Sequence, residues 1–126
     1  MSAKSADYAY ATKVFDFLRA NGIPSFFSQE SLPTLSNADY RKEIDTALDH
    51  SKHMIVVTSS CENVTSPWVE AEWGMFIGEK RSGRKSGNLV TLLVDLDAGD
   101  LPFSLRSFEA LPFNQESLDR ILGYVK

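Results

Sequence analysis

The stretch from His53 to Ile77, HMIVVTSSCENVTSPWVEAEWGMFI, decides the fold that the rest of the chain must follow. Met54–Thr58 is part of an apolar run, which is typical of a strand covered on both faces of a sheet. A polar loop, Ser59–Thr65, separates this run from a helix. Ser66 can cap the first free amides of that helix, and Pro67 suits its first position, where no amide donor is needed. The stretch therefore predicts a buried strand followed by an amphipathic helix.

The predicted helix carries two acids with different neighbours. Glu70 lies next to small groups and can reach water, whereas Glu72 has Trp68 and Phe76 one turn away on either side. Glu72 is therefore expected to be partly desolvated unless another group pairs with it or uses it. The alternative is that both acids only add charge to a solvated face near a helix N-terminus. The apolar arc of the helix consists of Val69, Trp73, Phe76 and Ile77.

Helices and strands alternate along the rest of the chain, which predicts a doubly wound parallel α/β sheet with helices on both faces. Ligands bind such sheets outside the carboxyl ends of the strands, which places Glu72 near that edge. The first helix begins almost at Met1 with no strand ahead of it, although such domains normally start with a strand. The predicted helices are 7–21, 37–50 and 116–125, the other strands are 23–28, 88–94 and 108–113, and residues 29–36 form a loop.

Length and composition exclude several classes of protein. A chain of 126 residues fits a single domain, residues 1–126, and a net charge of −4 argues against a nucleic-acid-binding surface. No apolar run approaches the roughly 18 residues of a membrane span, and the start of the chain does not resemble a signal peptide. The single cysteine, Cys61, cannot form an internal disulfide, and no Cys/His cluster has zinc-ligand spacing. These features indicate a reducing, cytoplasmic setting.

Four parts of the chain form an ordered set. Ser2–Asp7 is Ser-rich and ends in Asp; Asn21–Phe27 is followed by the loop Gln29–Asn37; Ile44–Ser59 matches the pattern I..ai..S...ivvlS; and Ser66–Trp73 matches S.W...E. This set resembles the Toll/interleukin receptor (TIR) domain, particularly its bacterial members. In that resemblance the first part follows the family's first strand, which is the strand missing here, and the loop stands in the position of the BB loop.

The resemblance covers Ser2 to Pro112 and implies a flavodoxin-like sheet. Two positions depart from the family pattern: Ser28 replaces an acidic residue after the second strand, and the BB loop has no Gly between Leu32 and Asp39. Enzymatic members cleave the nicotinamide glycosidic bond of NAD, giving products from ADP-ribose to cyclic ADP-ribose isomers. Their activity usually requires self-association, often triggered by a fused or partner sensor, in immune or antiphage signalling. NAD is then a substrate, and no cofactor is implied.

The catalytic Glu of the family stands four residues after the signature Trp, so the resemblance assigns the role to Glu72, four residues after Trp68. A carboxylate beside the sugar can stabilise an oxocarbenium-like transition state, and the cationic nicotinamide leaves without protonation. Trp68 is a candidate to present its ring to the substrate. Lys4 and Ser5 are candidates for phosphate or ribose contacts, with an ordinary loop as the alternative. Phe27 is a candidate pocket residue, with core packing as the alternative.

Two other functions remain open from the sequence. The chain could be a non-enzymatic assembly module that uses its BB loop and helix surfaces, as signalling TIR adaptors do. It could also resemble a nucleoside deoxyribosyltransferase, which uses a Glu on a similar sheet. His50 and His53 flank a helix-to-strand turn and are interpreted as structural, and Cys61 has no nearby His to activate it.

Overall fold

The structure is a computed structural model that describes residues 1–25, 42, 46 and 51–125, without the side chains of Ser5 and Trp68. The predicted strand 23–28 and helix 37–50 therefore lie largely outside the described residues. Residues 23–25 are not in a strand. Lys42 and Thr46 are helical, and the Thr46 hydroxyl donates to the Lys42 carbonyl at 2.9 Å, as expected one turn apart in a helix.

Three parallel strands form the sheet in the described part of the chain: β1, Met54–Thr58; β2, Leu89–Leu93; and β3, Glu109–Pro112. They lie in the order β1-β2-β3, with Val56 opposite Thr91. Every residue of β1 and β2 is buried, because helices cover both faces of these strands. The doubly wound parallel arrangement that the sequence predicts is therefore confirmed.

The N-terminal segment lies beside β1 on the side away from β2. Ser2 forms a single parallel bridge with Val56. Its N–H donates to the Ile55 carbonyl at 2.8 Å, and its carbonyl accepts from the Val57 N–H at 3.0 Å. Ser2 thus forms a single bridge at the position where the family's first strand is expected.

One face of the sheet is covered by two helices, α1 (Tyr8–Ala20) and α5 (Gln115–Val125), and a 3-10 turn at Ser5–Asp7 precedes α1. Successive residues of β1 point to opposite faces, so Ile55 and Val57 pack under these helices. The bounds agree closely with the predicted helices. The buried residues of this cluster are Ala3, Ala11, Val14, Phe15, Leu18, Ile55, Val57, Val90, Leu92, Val94, Leu111, Leu118 and Ile121.

The opposite face is covered by α3 (Pro67–Arg81), whose apolar arc is buried as predicted. The short helix α2 (Cys61–Val64) precedes α3, and its last carbonyl, that of Val64, accepts the Trp73 indole N–H at 2.9 Å. Another short helix, α4 (Phe103–Arg106), adds Leu105 to this cluster. The other buried members are Met54, Val56, Val64, Val69, Trp73, Phe76, Ile77, Leu89, Leu93 and Leu101.

Three local predictions are wrong. The loop predicted at Ser59–Thr65 contains α2, because the Ser60 hydroxyl caps this helix by accepting from the Asn63 N–H at 3.0 Å. The Ser66 hydroxyl does not cap α3 but donates back to the Asn63 carbonyl at 2.9 Å. The glycines at positions 78 and 83 predict that α3 frays across residues 78–83, but the helix continues to Arg81.

Thr91, in the middle of β2, has a fully buried hydroxyl with no hydrogen-bond partner in the described structure. Burying an unpaired hydroxyl is unfavourable, and valine keeps the branched shape without it. We therefore expect Thr91→Val to raise the free energy of unfolding by about 1 kcal/mol in urea denaturation. Thr91→Ser, which keeps the hydroxyl and loses the methyl, is the control and should lower it. A loss of stability in Thr91→Val would show that the hydroxyl is bonded.

Candidate functional site

Glu72, which lies on α3, contacts the N-terminal segment of the chain. Ser2 is the bridge partner of Val56, and partners in a parallel pair point to the same face, here the face that α3 covers. The Ser2 hydroxyl donates to Oε1 of Glu72 at 3.0 Å. Two residues that are 70 positions apart in the chain are therefore joined by a buried hydrogen bond.

The Glu72 carboxyl is largely removed from water, as its neighbours in the sequence predicted. Glu72 is 8% exposed, and Phe76, one turn along α3, is 3% exposed. Burial raises the pKa of Glu72 above its usual value of 4.5, while the Ser2 hydroxyl and the N-terminal ammonium of Met1 act in the opposite direction. Glu70, on the same helix, is exposed, so the two acids differ in their access to water, as expected.

The raised pKa makes the stability of the fold depend on pH. A group whose pKa is higher in the folded state contributes its full stability below its unfolded pKa, near 4.5, and loses it as pH rises through the folded pKa. Glu72→Gln cannot titrate. The free energy of unfolding of Glu72→Gln minus that of the unmodified chain is therefore expected to rise with pH over this window. Urea denaturation of both proteins between pH 4 and 8 measures this difference in the free energy of unfolding. A difference that is constant or falls with pH would contradict a raised pKa for Glu72.

The loop between Ser2 and α1 lies at the carboxyl edge of the sheet. Ser2 is opposite Val56, two residues before the end of β1, and Lys4 follows Ser2 by two residues in the parallel direction. Lys4 is half-buried, and its carbonyl accepts the Asp7 N–H at 2.8 Å. Ser5 begins the 3-10 turn. Both candidate contact residues thus lie near the edge at which α/β sheets bind ligands.

Asp7 fixes this loop to the end of β1. Its carboxylate is buried at 1% exposure and accepts from the Ser59 hydroxyl at 2.6 Å and from the Asn63 side-chain amide at 3.1 Å. The Ser59 N–H also donates to it, at 3.3 Å. These bonds hold the segment that contains Lys4 against the loop that leads into α3.

Sequence patterns alone give no role to Ser2, Asp7, Ser59 or Asn63. Ser2 and Asp7 belong to the Ser-rich segment that ends in Asp, so that segment was the available signal. The pairing itself could not be predicted, because nothing in a single sequence connects Ser2 to Glu72.

Two predicted site residues cannot be placed in full. Trp68 lies in the first turn of α3, one turn before Glu72, and its side chain is outside the described structure. Phe27 is outside the described residues entirely. Their proposed contacts therefore stay predictions.

Of the described reactive side chains that the sequence singled out, His53 and Cys61 have no hydrogen bond to Glu72. His53 Nδ1 accepts the Asn88 N–H at 2.9 Å, and burial, Lys52 and Lys80 lower its pKa. Cys61 is exposed at the start of α2. Among the described residues, no group of three or more His, Cys, Asp or Glu side chains is arranged to hold a metal ion. His50 is outside the described residues.

A cavity of about 450 Å³ lies on the other face of the sheet from Glu72. Leu18, Ile55 and Val125 are among its lining residues, and all three pack on the α1 side. Glu72 is not one of its lining residues.

None of the helices in the described part of the chain is both long and apolar enough to cross a bilayer. A family model described as TIR domain matches residues 1–122. This match includes Ser2, Asp7 and Glu72, the residues that form the contacts above. No curated protein matches the chain.

Proposed function

We propose, since the chain belongs to the TIR domain family, that it is an NAD glycohydrolase in which Glu72 is the catalytic carboxylate. The reaction breaks the bond between nicotinamide and ribose and gives ADP-ribose or a cyclic ADP-ribose isomer. The observation that carries the proposal is the state of Glu72: it is 8% exposed and accepts a hydrogen bond from a neutral hydroxyl.

A single carboxylate is enough for this chemistry. As the glycosidic bond breaks, its electron pair goes to the nicotinamide ring, which leaves as a neutral molecule without a general acid. Positive charge develops on the ribose, and an ionised Glu72 stabilises it. Water then completes hydrolysis, or a second nucleophile within the same molecule closes a ring. The carboxylate acts more strongly where water is excluded, because electrostatic interactions are larger in a low dielectric.

Four further residues are proposed to bind the substrate. Lys4 lies at the carboxyl edge of β1 and is proposed to contact a phosphate, with Ser5 contacting phosphate or ribose. Trp68 is proposed to present its ring to the substrate, and Phe27 to line the substrate-binding pocket. The Asp7 contacts with Ser59 and Asn63 would hold this loop in place while the substrate is bound.

TIR domains self-associate. We propose that this one is active as an assembly, formed in the cytoplasm in response to a sensor domain or protein, and that the reaction serves immune or antiphage signalling. The fraction of the protein that is assembled rises with its concentration. If only the assembled form is active, activity should rise more steeply than in proportion to protein concentration.

The test is to incubate the chain with NAD over a wide range of protein concentration and to resolve the products by chromatography. Nicotinamide release that increases more than linearly with concentration, with ADP-ribose or its cyclic isomer as co-product, supports the proposal. Self-association by light scattering without nicotinamide at any concentration would favour the non-enzymatic assembly module. Base exchange on deoxynucleosides without NAD cleavage would instead indicate a deoxyribosyltransferase.

A further inference from the structure

We propose that Ser2 is a positioning residue, whose hydroxyl holds Oε1 of Glu72 in one orientation and favours the charged form of the carboxylate. This inference rests on the proposed function for the use that the reaction makes of Glu72. The contact itself does not depend on that function, since it is a buried hydrogen bond of 3.0 Å between the two side chains.

The side chain of Ser2 is held rigidly enough to fix the orientation of the Glu72 carboxylate. Its side chain is completely buried, and its backbone is held by hydrogen bonds to Ile55 and Val57 on the edge of β1. Complete burial leaves the side chain little room to change rotamer. Here the strand register fixes the direction of the Cβ, so the hydroxyl is presented to α3 and to Glu72.

The group that donates to Glu72 is a neutral hydroxyl, and this affects how well the carboxylate can stabilise a cation. A Lys or Arg side chain would stabilise the carboxylate but would cancel much of the negative charge that a ribosyl cation needs. A hydroxyl stabilises the charged form through one hydrogen bond and adds no net charge. In the described part of the chain, no Lys or Arg side chain forms an ion pair with Glu72.

Among the described residues, few other charges act on Glu72. β1, the strand beneath it, has no titratable side chain, and Glu70 on its own helix is exposed. In the N-terminal segment, the ammonium of Met1 contributes a positive charge to Glu72, and the Asp7 carboxylate is engaged by Ser59 and Asn63. Removal of the Ser2 hydroxyl should therefore be visible in the titration of Glu72.

The experiment is an NMR titration of the Glu72 side-chain carboxyl in the full chain without NAD. Ser2→Ala and Ser2→Cys, whose thiol is only a weak donor, should both titrate at higher pH than the unmodified chain, and Ser2→Thr should titrate near it. Ser60→Ala is the matched control, because it removes a capping hydroxyl from α2 without touching Glu72. Its Glu72 titration should not move. Ser2→Cys serves if Ser2→Ala does not fold.

The same variants are then assayed for nicotinamide release across pH. Ser2→Ala should lose roughly 3–10-fold in rate on the acidic side, with a smaller loss at alkaline pH, where the carboxylate is ionised in every variant. An unmoved titration in Ser2→Ala and Ser2→Cys, or an equal shift in Ser2→Thr, would overturn the inference. Failure of the proposed function gives a different result: no nicotinamide from the unmodified chain, whatever the titration shows.

Discussion

Glu72→Gln is expected to lower the rate of nicotinamide release from NAD by a factor on the order of 10² to 10³ while the protein stays folded. Glutamine has nearly the same size as glutamate, and its amide oxygen can accept the Ser2 hydroxyl in place of Oε1. The charge that stabilises a ribosyl cation is absent. The rate is measured as nicotinamide formed at saturating NAD, at a pH where Glu72 is ionised in the unmodified chain.

The variant must be shown to be folded before its activity is interpreted. Because burial raises the pKa of Glu72, its ionised form destabilises the fold, and removing the charge should not reduce stability at alkaline pH. Circular dichroism and urea denaturation test this. An inactive variant that is also unfolded would not support the assignment, and Glu72→Asp would then show whether a shorter carboxylate keeps part of the activity.

Gly87→Ala is expected to destabilise the protein by about 3 kcal/mol or more, or to prevent folding. A Cβ at Gly87 would overlap the backbone carbonyl of Lys52. The loop cannot easily move away, since the next residue, Asn88, donates its N–H to His53 and accepts the Met54 N–H at the start of β1. Urea denaturation, or soluble yield if the variant does not fold, measures the effect.

Gly74→Ala is the matched control. Gly74 is exposed on α3, and a Cβ there would meet nothing within 4 Å. Alanine is favoured over glycine in helices, so this variant should be more stable by roughly 0.5–1 kcal/mol. If Gly87→Ala were as stable as the unmodified chain, the close approach between the 87–88 loop and Lys52 would be wrong.

Two of the three strands in the described part of the sheet could be predicted well, because they are continuous apolar runs. Met54–Thr58 and Leu89–Leu93 have no polar face, so they are stable only when covered on both sides, and the alternation of helices and strands supplies that cover. The burial of Glu72 was also predictable, since its neighbours one turn away include Phe76, and both are fixed by helix geometry. These are local features with a regular period.

Features that depend on distant contacts were not predictable. The Ser2 contact with Glu72 and the Asp7 contacts with Ser59 and Asn63 join residues 52 to 70 positions apart. Gly87 stands next to Ser86 and Asn88 in a polar part of the sequence, and only its approach to Lys52 shows why a side chain is not tolerated. In each case the tertiary structure decides the role of the residue, and periodicity carries no information about it.

The position of Glu72 and the position of its hydrogen-bond donor therefore have different causes. α3 buries Glu72 by its own periodicity, and the register between Ser2 and β1 brings a hydrogen-bond donor to it. The Asp7 contacts keep Lys4 and Ser5 near the same edge. We infer that the parallel sheet acts as the frame on which these separate segments meet.

The most direct test compares Glu72→Gln with Glu70→Gln, two identical substitutions two positions apart on α3, one buried and one exposed. Nicotinamide release from NAD is measured for both and for the unmodified chain at the same protein concentration and pH. We predict that Glu70→Gln keeps the parental rate within about twofold and that Glu72→Gln loses nearly all of it. A folded Glu72→Gln protein that releases nicotinamide at the parental rate would contradict the account.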